Sequence, residues 1–313
     1  MELDSRIYVA GHRGLVGSAI VRRLKSLGYN KIITDTKNEL DLRHQESTRN
    51  FIKLHKPEYV FLAAAKVGGI NYNKNHPGDF IYDNLQIQNN VINTSYELGV
   101  EKLLFLGSSC IYPKICEQPI KESALLNSPL EPTNEAYAIA KIAGLKMCQM
   151  YTDQYGFNTV SAMPANLYGP NDNFNSEQSH VIPAMIKKFL NAIVNQDSQV
   201  TFFGDGSPIR DFMYVDDLAD ACIFLMNNYN NPNHINVGSG LDVSIKYLAQ
   251  LISSIVGYTG EVIWDESKPN GSPRRTLDTY RMDALGWYPK TSLMQGLANT
   301  IDWYKRTGGD REL

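Results

Sequence analysis

Ile7-Tyr8-Val9-Ala10-Gly11-His12-Arg13-Gly14-Leu15-Val16-Gly17 is the stretch on which the fold turns. Four strand-forming residues run into glycines three apart, and a helical pattern follows over about 14–27. Glycines placed this way let the backbone turn tightly and approach a pyrophosphate, whose charge then lies among the free N–H groups at a helix N-terminus. Gly11, Gly14 and Gly17 alone are a weak signal, because a plain strand-to-helix turn looks the same. Their weight comes from what surrounds them.

Working outward, strand patterns recur at 31–34, 59–62, 103–106 and 159–163, with helical patterns at 45–54, 79–98 and 134–155. Gly28 and Gly99 are well placed as helix stops. This alternation builds an α/β, Rossmann-type, doubly wound parallel sheet with right-handed crossovers. After Met163 the rhythm loosens into turn-rich connections such as Gly169-Pro170-Asn171-Asp172-Asn173. Helices at 181–194, 217–226, 244–256 and 294–304 and strands at 200–203 and 262–264 then make a smaller C-terminal α/β lobe. The expected division is a nucleotide-binding domain over 1–165, to which the chain returns near 213–240, and a substrate lobe over 166–313.

The 313 residues carry 30 basic and 33 acidic side chains, a net charge of −3. That balance argues against nucleic acid or an anionic membrane surface as a partner. With 43% hydrophobic residues the chain can bury enough apolar area to offset ordering entropy, so global disorder is excluded. No apolar run reaches the roughly 20 residues of a membrane span, and the N-terminus lacks the form of a signal peptide, so a cytoplasmic protein is expected. Cys110, Cys116, Cys148 and Cys222 show neither paired nor metal-like spacing, so no disulfide framework and no metal are expected.

Asp35, 18 residues after Gly17, stands where a carboxylate takes the ribose hydroxyls of NAD. Arg13 and Lys37 compete with it, since either cation suits the 2′-phosphate of NADP; solvated surface charge is the other reading of both. The balance favours NADP(H).

Tyr137-Ala138-Ile139-Ala140-Lys141 places a phenol and an ammonium on one helix face, a turn apart. A lysine there favours ionised tyrosine and lowers its pKa, making the phenol a usable proton donor or acceptor. Lys141 also suits the nicotinamide ribose. Such a pair arises often by chance; the glycine loop and Ser108-Ser109 after the fourth strand give it meaning.

With these residues the chain resembles the extended short-chain dehydrogenase/reductases over nearly its whole length. Gly107-Ser108-Ser109-Cys110-Ile111-Tyr112-Pro113, Asn166-Leu167-Tyr168-Gly169-Pro170, Ser179-His180-Val181-Ile182-Pro183 and Arg210-Asp211-Phe212 resemble the GDP-L-fucose synthase family within them. The resemblance implies NADPH-dependent conversion of GDP-4-keto-6-deoxy-D-mannose to GDP-L-fucose, by epimerisation at C3 and C5 and then reduction at C4. It implies that Tyr137 supplies the proton, Ser108 binds the C4 oxygen, and Lys141 supports the tyrosine and the ribose. Cys110 and His180 are the implied acid/base pair for epimerisation; a packed thiol and a surface or capping histidine are the bland alternatives. Coenzyme contacts are implied for Gly11, Arg13, Gly14, Leu15, Val16, Gly17, Asp35, Lys37, Asp41, Leu42, Ala63, Ala64, Leu106, Gly107, Ser108, Tyr137, Lys141, Pro164, Asn166, Leu167 and His180.

For the GDP-sugar the resemblance implies Asn166, Lys188, Phe203, Arg210 and Asn270. Lys188 stands where arginine is common, Phe203 where tryptophan is, and Asn270 where aspartate is. A carboxylate accepts two hydrogen bonds from a guanine edge, whereas Asn270 offers one acceptor and presents donors too. Sugar-nucleotide 4,6-dehydratases place an Asp-Glu pair where Cys110-Ile111 stands here, which argues against dehydration. A C4 reductase of a GDP-4-keto-6-deoxyheptose is the alternative substrate reading, and a nucleotide sensor without chemistry is the alternative in kind. The resemblance further implies a homodimer built on the helices at 79–98 and 134–155.

Overall fold

The computed structural model describes residues 1–175, 179–268 and 270–309, with backbone alone at 70 and 71. Its first half runs β1 (Ile7–Ala10), α1 (Leu15–Ser26), β2 (Ile32–Ile33), α2 (Gln45–His55), β3 (Tyr59–Leu62), α3 (Ile70–Asn75), α4 (Pro77–Glu97), β4 (Lys102–Leu106), α5 (Glu135–Tyr155) and β5 (Asn158–Pro164). There follow β6 (Asn166–Tyr168), α6 (Val181–Asn195), β7 (Gln199–Phe203), β8 (Ile209–Arg210), β9 (Phe212–Tyr214), α7 (Val215–Asn228) and β10 (Ile235–Val237). The chain continues with β11 (Val243–Ser244), α8 (Ile245–Val256), β12 (Glu261–Asp265), β13 (Arg274–Arg275), α9 (Tyr280–Ala284) and α10 (Leu293–Thr307).

Six strands form one sheet in the order β10-β5-β4-β3-β1-β2, with every pair parallel. Every residue of β1 and β4 is buried, which accounts for apolar runs without alternation: helices cover a parallel sheet on both faces. α4 packs on α5 and α2, while α1 packs on α7. Arg22–Asp216 and Arg23–Asp220, both at 2.5 Å, tie α1 to α7. Because β2 lies on one side of β1 and β3 on the other, the sheet has a switch point beside β1, where the strand ends leave a crevice for a ligand.

The return of the chain is carried by α7 against α1 and by β10 alongside β5. One hydrophobic cluster surrounds the large sheet and also takes in Leu277, Met282 and Trp287 from the C-terminal segment. A second gathers Phe189, Leu248, Ile252, Leu297 and Trp303 from α6, α8 and α10. The strands β6, β8, β9, β11 and β13 are two or three residues long, too short to leave a periodic pattern, and the sequence did not foretell them. Among the described residues no helix is long and apolar enough to cross a membrane.

Candidate active site

Gly11 ends β1 with φ +82, and a Cβ there would lie 2.8 Å from Ala64 Cα at the end of β3. A Cβ on Gly17 would overlap the Gly11 carbonyl. Both positions therefore need glycine, and both stand at the switch point. α1 begins at Gly14 with no side-chain cap and no acid in its first turn, so its free N–H groups face the crevice end uncompensated. That cradle fits a dinucleotide diphosphate. Ala63 and Ala64 follow β3, and Leu106, Gly107, Pro164, Asn166 and Leu167 sit at or just beyond the ends of β4 and β5, lining the same edge.

Other coenzyme candidates sit differently from expectation. Asp35 is buried, and the fully buried Tyr8 hydroxyl donates to its carboxylate at 2.5 Å. Burial raises the Asp35 pKa to about 6, against the pull of the Tyr8 hydrogen bond. The carboxylate is thus turned into the protein rather than offered to a ribose, because the β1 side chain that reaches it is a tyrosine. Arg13 and Lys37 remain exposed on either side. Asp41 is engaged by Arg43 at 2.6 Å, which holds its pKa down at about 2. Leu42 belongs to the core, where its carbonyl accepts from Asn90.

Four of the predicted catalytic residues, Ser108, Cys110, Tyr137 and Lys141, converge beyond β4. Gln88 of α4 donates to the Ala140 carbonyl at 2.6 Å, and Gly144 lets α5 lie directly against Phe105 of β4. This seat brings Tyr137 to the strand end, where Ser108 favours the ionised phenol against the larger effect of burial. The Ser108 hydroxyl also accepts from the Cys110 backbone N–H at 3.2 Å. Lys141, one turn on, donates to the Leu106 carbonyl at 2.8 Å and lies 5.9 Å from the Tyr137 ring centre.

The expected lowering of the Tyr137 pKa is not what this state shows. Burial, and then the nearby Cys110, push it well above the ordinary phenol value. Lys141, itself lowered to about 8 by burial, is turned to a carbonyl instead. Tyr137 is therefore a neutral phenol, a proton donor rather than a base. His180 occupies the N-cap position of α6 in extended backbone without a side-chain cap bond; solvent reaches it, yet burial on its enclosed sides lowers its pKa. It is joined to the Ser108–Tyr137–Cys110 group by no hydrogen bond among the described residues.

The residues expected to bind substrate lie on the segments that follow β5. Arg275 donates to the carbonyls of Ser109 and Pro113, both at 3.0 Å, and so fixes the catalytic loop from β13. Its charge and burial lower the pKa of Arg210, burial being the larger cause. Arg210 is held by the carbonyls of Ile209 and Ser272, and Asn166 by that of Asp211. Asn270 accepts from Asp205 N–H at 3.1 Å beside Gly204, and neighbouring Phe203 is 71% exposed. Lys188 donates to the Thr201 carbonyl over the Phe202 ring. The sequence reading missed the anchoring role of Arg275, and it missed Asp211, whose buried carboxylate accepts from Ser239 N–H and Oγ. Neither contact has a spacing signature.

Residues 7–238 match the NAD dependent epimerase/dehydratase family. GDP-L-fucose synthase 1 of Arabidopsis thaliana is 56% identical, over 96% of this chain and 93% of its own length. A GDP-6-OMe-4-keto-L-xylo-heptose reductase from C. jejuni superposes with TM-score 0.92 at 36% identity, covering 98% of this chain and 99% of that one. A GDP-L-fucose synthetase from Naegleria fowleri bound to NADP also gives 0.92, at 30% identity, covering 98% of this chain and 95% of that one. With its glycine cradle, its Ser108–Tyr137–Lys141 group and these relatives, the chain belongs to the NAD dependent epimerase/dehydratase family, in the branch of the GDP-L-fucose synthases.

Proposed function

We propose that the chain is an NADPH-dependent epimerase–reductase that converts GDP-4-keto-6-deoxy-D-mannose to GDP-L-fucose. The observation that carries this reading is the gathering of Tyr137, Ser108 and Cys110 around one point beyond β4, with the cation Arg275 leading toward Arg210. NADP(H) belongs on the glycine loop, with Arg13 and Lys37 near the 2′-phosphate. Residues 1–165 with the return at 213–240 serve the coenzyme, and the rest of 166–313 the GDP-sugar.

In the mechanism, Ser108 and Tyr137 hold the C4 oxygen of the sugar. While C4 is a carbonyl its neighbouring C–H bonds are acidic, and loss of a proton from C3 or C5 places negative charge on that oxygen. The same two donors stabilise it. Cys110 and His180 exchange protons with the two carbons from opposite faces, which inverts them. Bound on the glycine loop, the reduced nicotinamide supplies the hydride for C4. Tyr137, neutral through burial, then gives its proton to the C4 oxygen. Epimerisation precedes reduction, because the acidity disappears with the carbonyl. Arg210, Lys188 and Asn166 bind the diphosphate side, and Phe203 and Asn270 the base.

The shape match to a heptose reductase supports the alternative that the substrate is a GDP-4-keto-6-deoxyheptose reduced only at C4. Incubation with each ketosugar and NADPH, with product identification by NMR, separates the two. GDP-L-fucose from the hexose supports the proposal; turnover of the heptose alone, without inversion, overturns it. Cys110→Ser and His180→Asn are expected to lose inversion while hydride transfer survives. The reading places the enzyme in the cytoplasm as a homodimer, a state favoured by exposed Tyr82 on α4 and Ile139, Met150 and Tyr155 on α5.

A further inference from the structure

Asn134 precedes α5 as its N-cap, a position where an asparagine side chain ordinarily accepts from the N–H groups of the first turn. Here it makes no such bond. Its amide instead turns away from the helix and donates from Nδ2 to Cys110 Sγ at 3.3 Å. The other end of the amide, Oδ1, is buried and has no partner among the described residues. Native proteins rarely leave a buried acceptor unmatched, so an atom in this state calls for an explanation. The side chain thus gives up both a helix cap and a partner for its oxygen, and the contact it keeps is with the sulfur.

We propose that Asn134 is a positioning residue for the proton transfers at C3 and C5: its amide N–H aims the Cys110 sulfur and stabilises the thiolate. This rests on the epimerase reading above. An N–H donor favours the anionic sulfur over the thiol, since only the anion gains the full strength of the bond. When the thiolate takes a proton from the sugar carbon it becomes a thiol, and the C–H electron pair passes into an enolate whose oxygen lies with Ser108 and Tyr137. Tyr137 of α5 faces the sulfur, whose charge adds to the cost of ionising the phenol. Arg275 of β13 grips the carbonyls of Ser109, Tyr112 and Pro113 on the same loop. Asn134 therefore acts beside a neutral phenol and a cation occupied with backbone.

The test uses the full-length enzyme with Asn134→Ala and Asn134→Asp. Aspartate is nearly isosteric and a good N-cap, so a purely structural role predicts that Asn134→Asp is harmless. The pH profile of iodoacetamide alkylation at Cys110, followed by peptide mass spectrometry, reads the thiolate directly without substrate. Its midpoint is expected to rise by about one unit in Asn134→Ala and further in Asn134→Asp. Deuterium uptake at C3 or C5 from heavy water is expected to fall at least tenfold, and NADPH oxidation with the same ketosugar to fall less. An unmoved midpoint in both folded variants overturns the proposal, even if exchange slows. A wild-type enzyme inert toward the ketosugar would instead remove the functional reading, and the alkylation profile would still decide the role of the amide.

Discussion

Tyr8 and Asp35 show how one side chain changes the meaning of a familiar position. An acid at the end of β2 reads as a ribose acceptor, but that reading assumes a free carboxylate, and the Tyr8 hydroxyl 2.5 Å away occupies this one. Tyr8→Phe removes the tether and leaves a buried, costly charge whose simplest relief is to turn outward toward the coenzyme. The expected outcome is a KM for NADPH several-fold higher and one for NADH lower, measured by steady-state kinetics; unchanged values for both would show that Asp35 never reaches the coenzyme. Tyr137 and Lys141 were legible in the sequence because a four-residue spacing on a helix fixes their common face. Asn134, Arg275 and Tyr8 were not, since each acts across a turn or between segments far apart in the chain, where nothing local marks the contact.

α5 is the element that joins packing to chemistry. Preceded by Asn134, it carries Tyr137 and Lys141 along its first two turns, and its depth is set lower down, where Gly144 meets Phe105 and Gln88. A Cβ at Gly144 would lie 2.6 Å from the Phe105 ring and 2.7 Å from the Gln88 side chain. Gly144→Ala is therefore expected to lift the helix, lowering stability by about 1–3 kcal/mol in urea unfolding. Displacement of the phenol and the ammonium would cut turnover more than it raises the KM for the sugar nucleotide. A fully active, equally stable variant would mean that α5 is not seated through this glycine. The long helices were readable from periodicity and from Gly28 and Gly99, and the buried strands from their apolar runs. The paired two-residue strands that carry Arg210 and Arg275 were not, because their register comes from partners outside the segment.

For the molecule as a whole, acid stability turns on buried groups that titrate in opposite senses. His234 is 6% exposed, and burial together with Arg281 lowers its pKa to about 4. The unfolded chain then binds a proton near pH 6.5 that the folded one refuses, so stability is lost as pH falls from about 6.5 toward 4, by on the order of 3 kcal/mol. Asp35, raised to about 6, works the other way: its folded form welcomes a proton as pH falls through 6, which offsets part of the loss. His234→Asn should flatten the fall in unfolding free energy across that window; an unchanged slope would place the acid sensitivity elsewhere. Above stability stands the claim that one oxygen-binding site serves both inversion and reduction. Ser108→Ala, assayed in heavy water with GDP-4-keto-6-deoxy-D-mannose and NADPH, addresses it most directly. Deuterium exchange at C3 and C5 and hydride transfer to C4 are expected to fall together, each by about 10²–10³ as for removal of one oxyanion donor. Loss of hydride transfer with exchange at the wild-type rate would mean that the enolate forms at a different site.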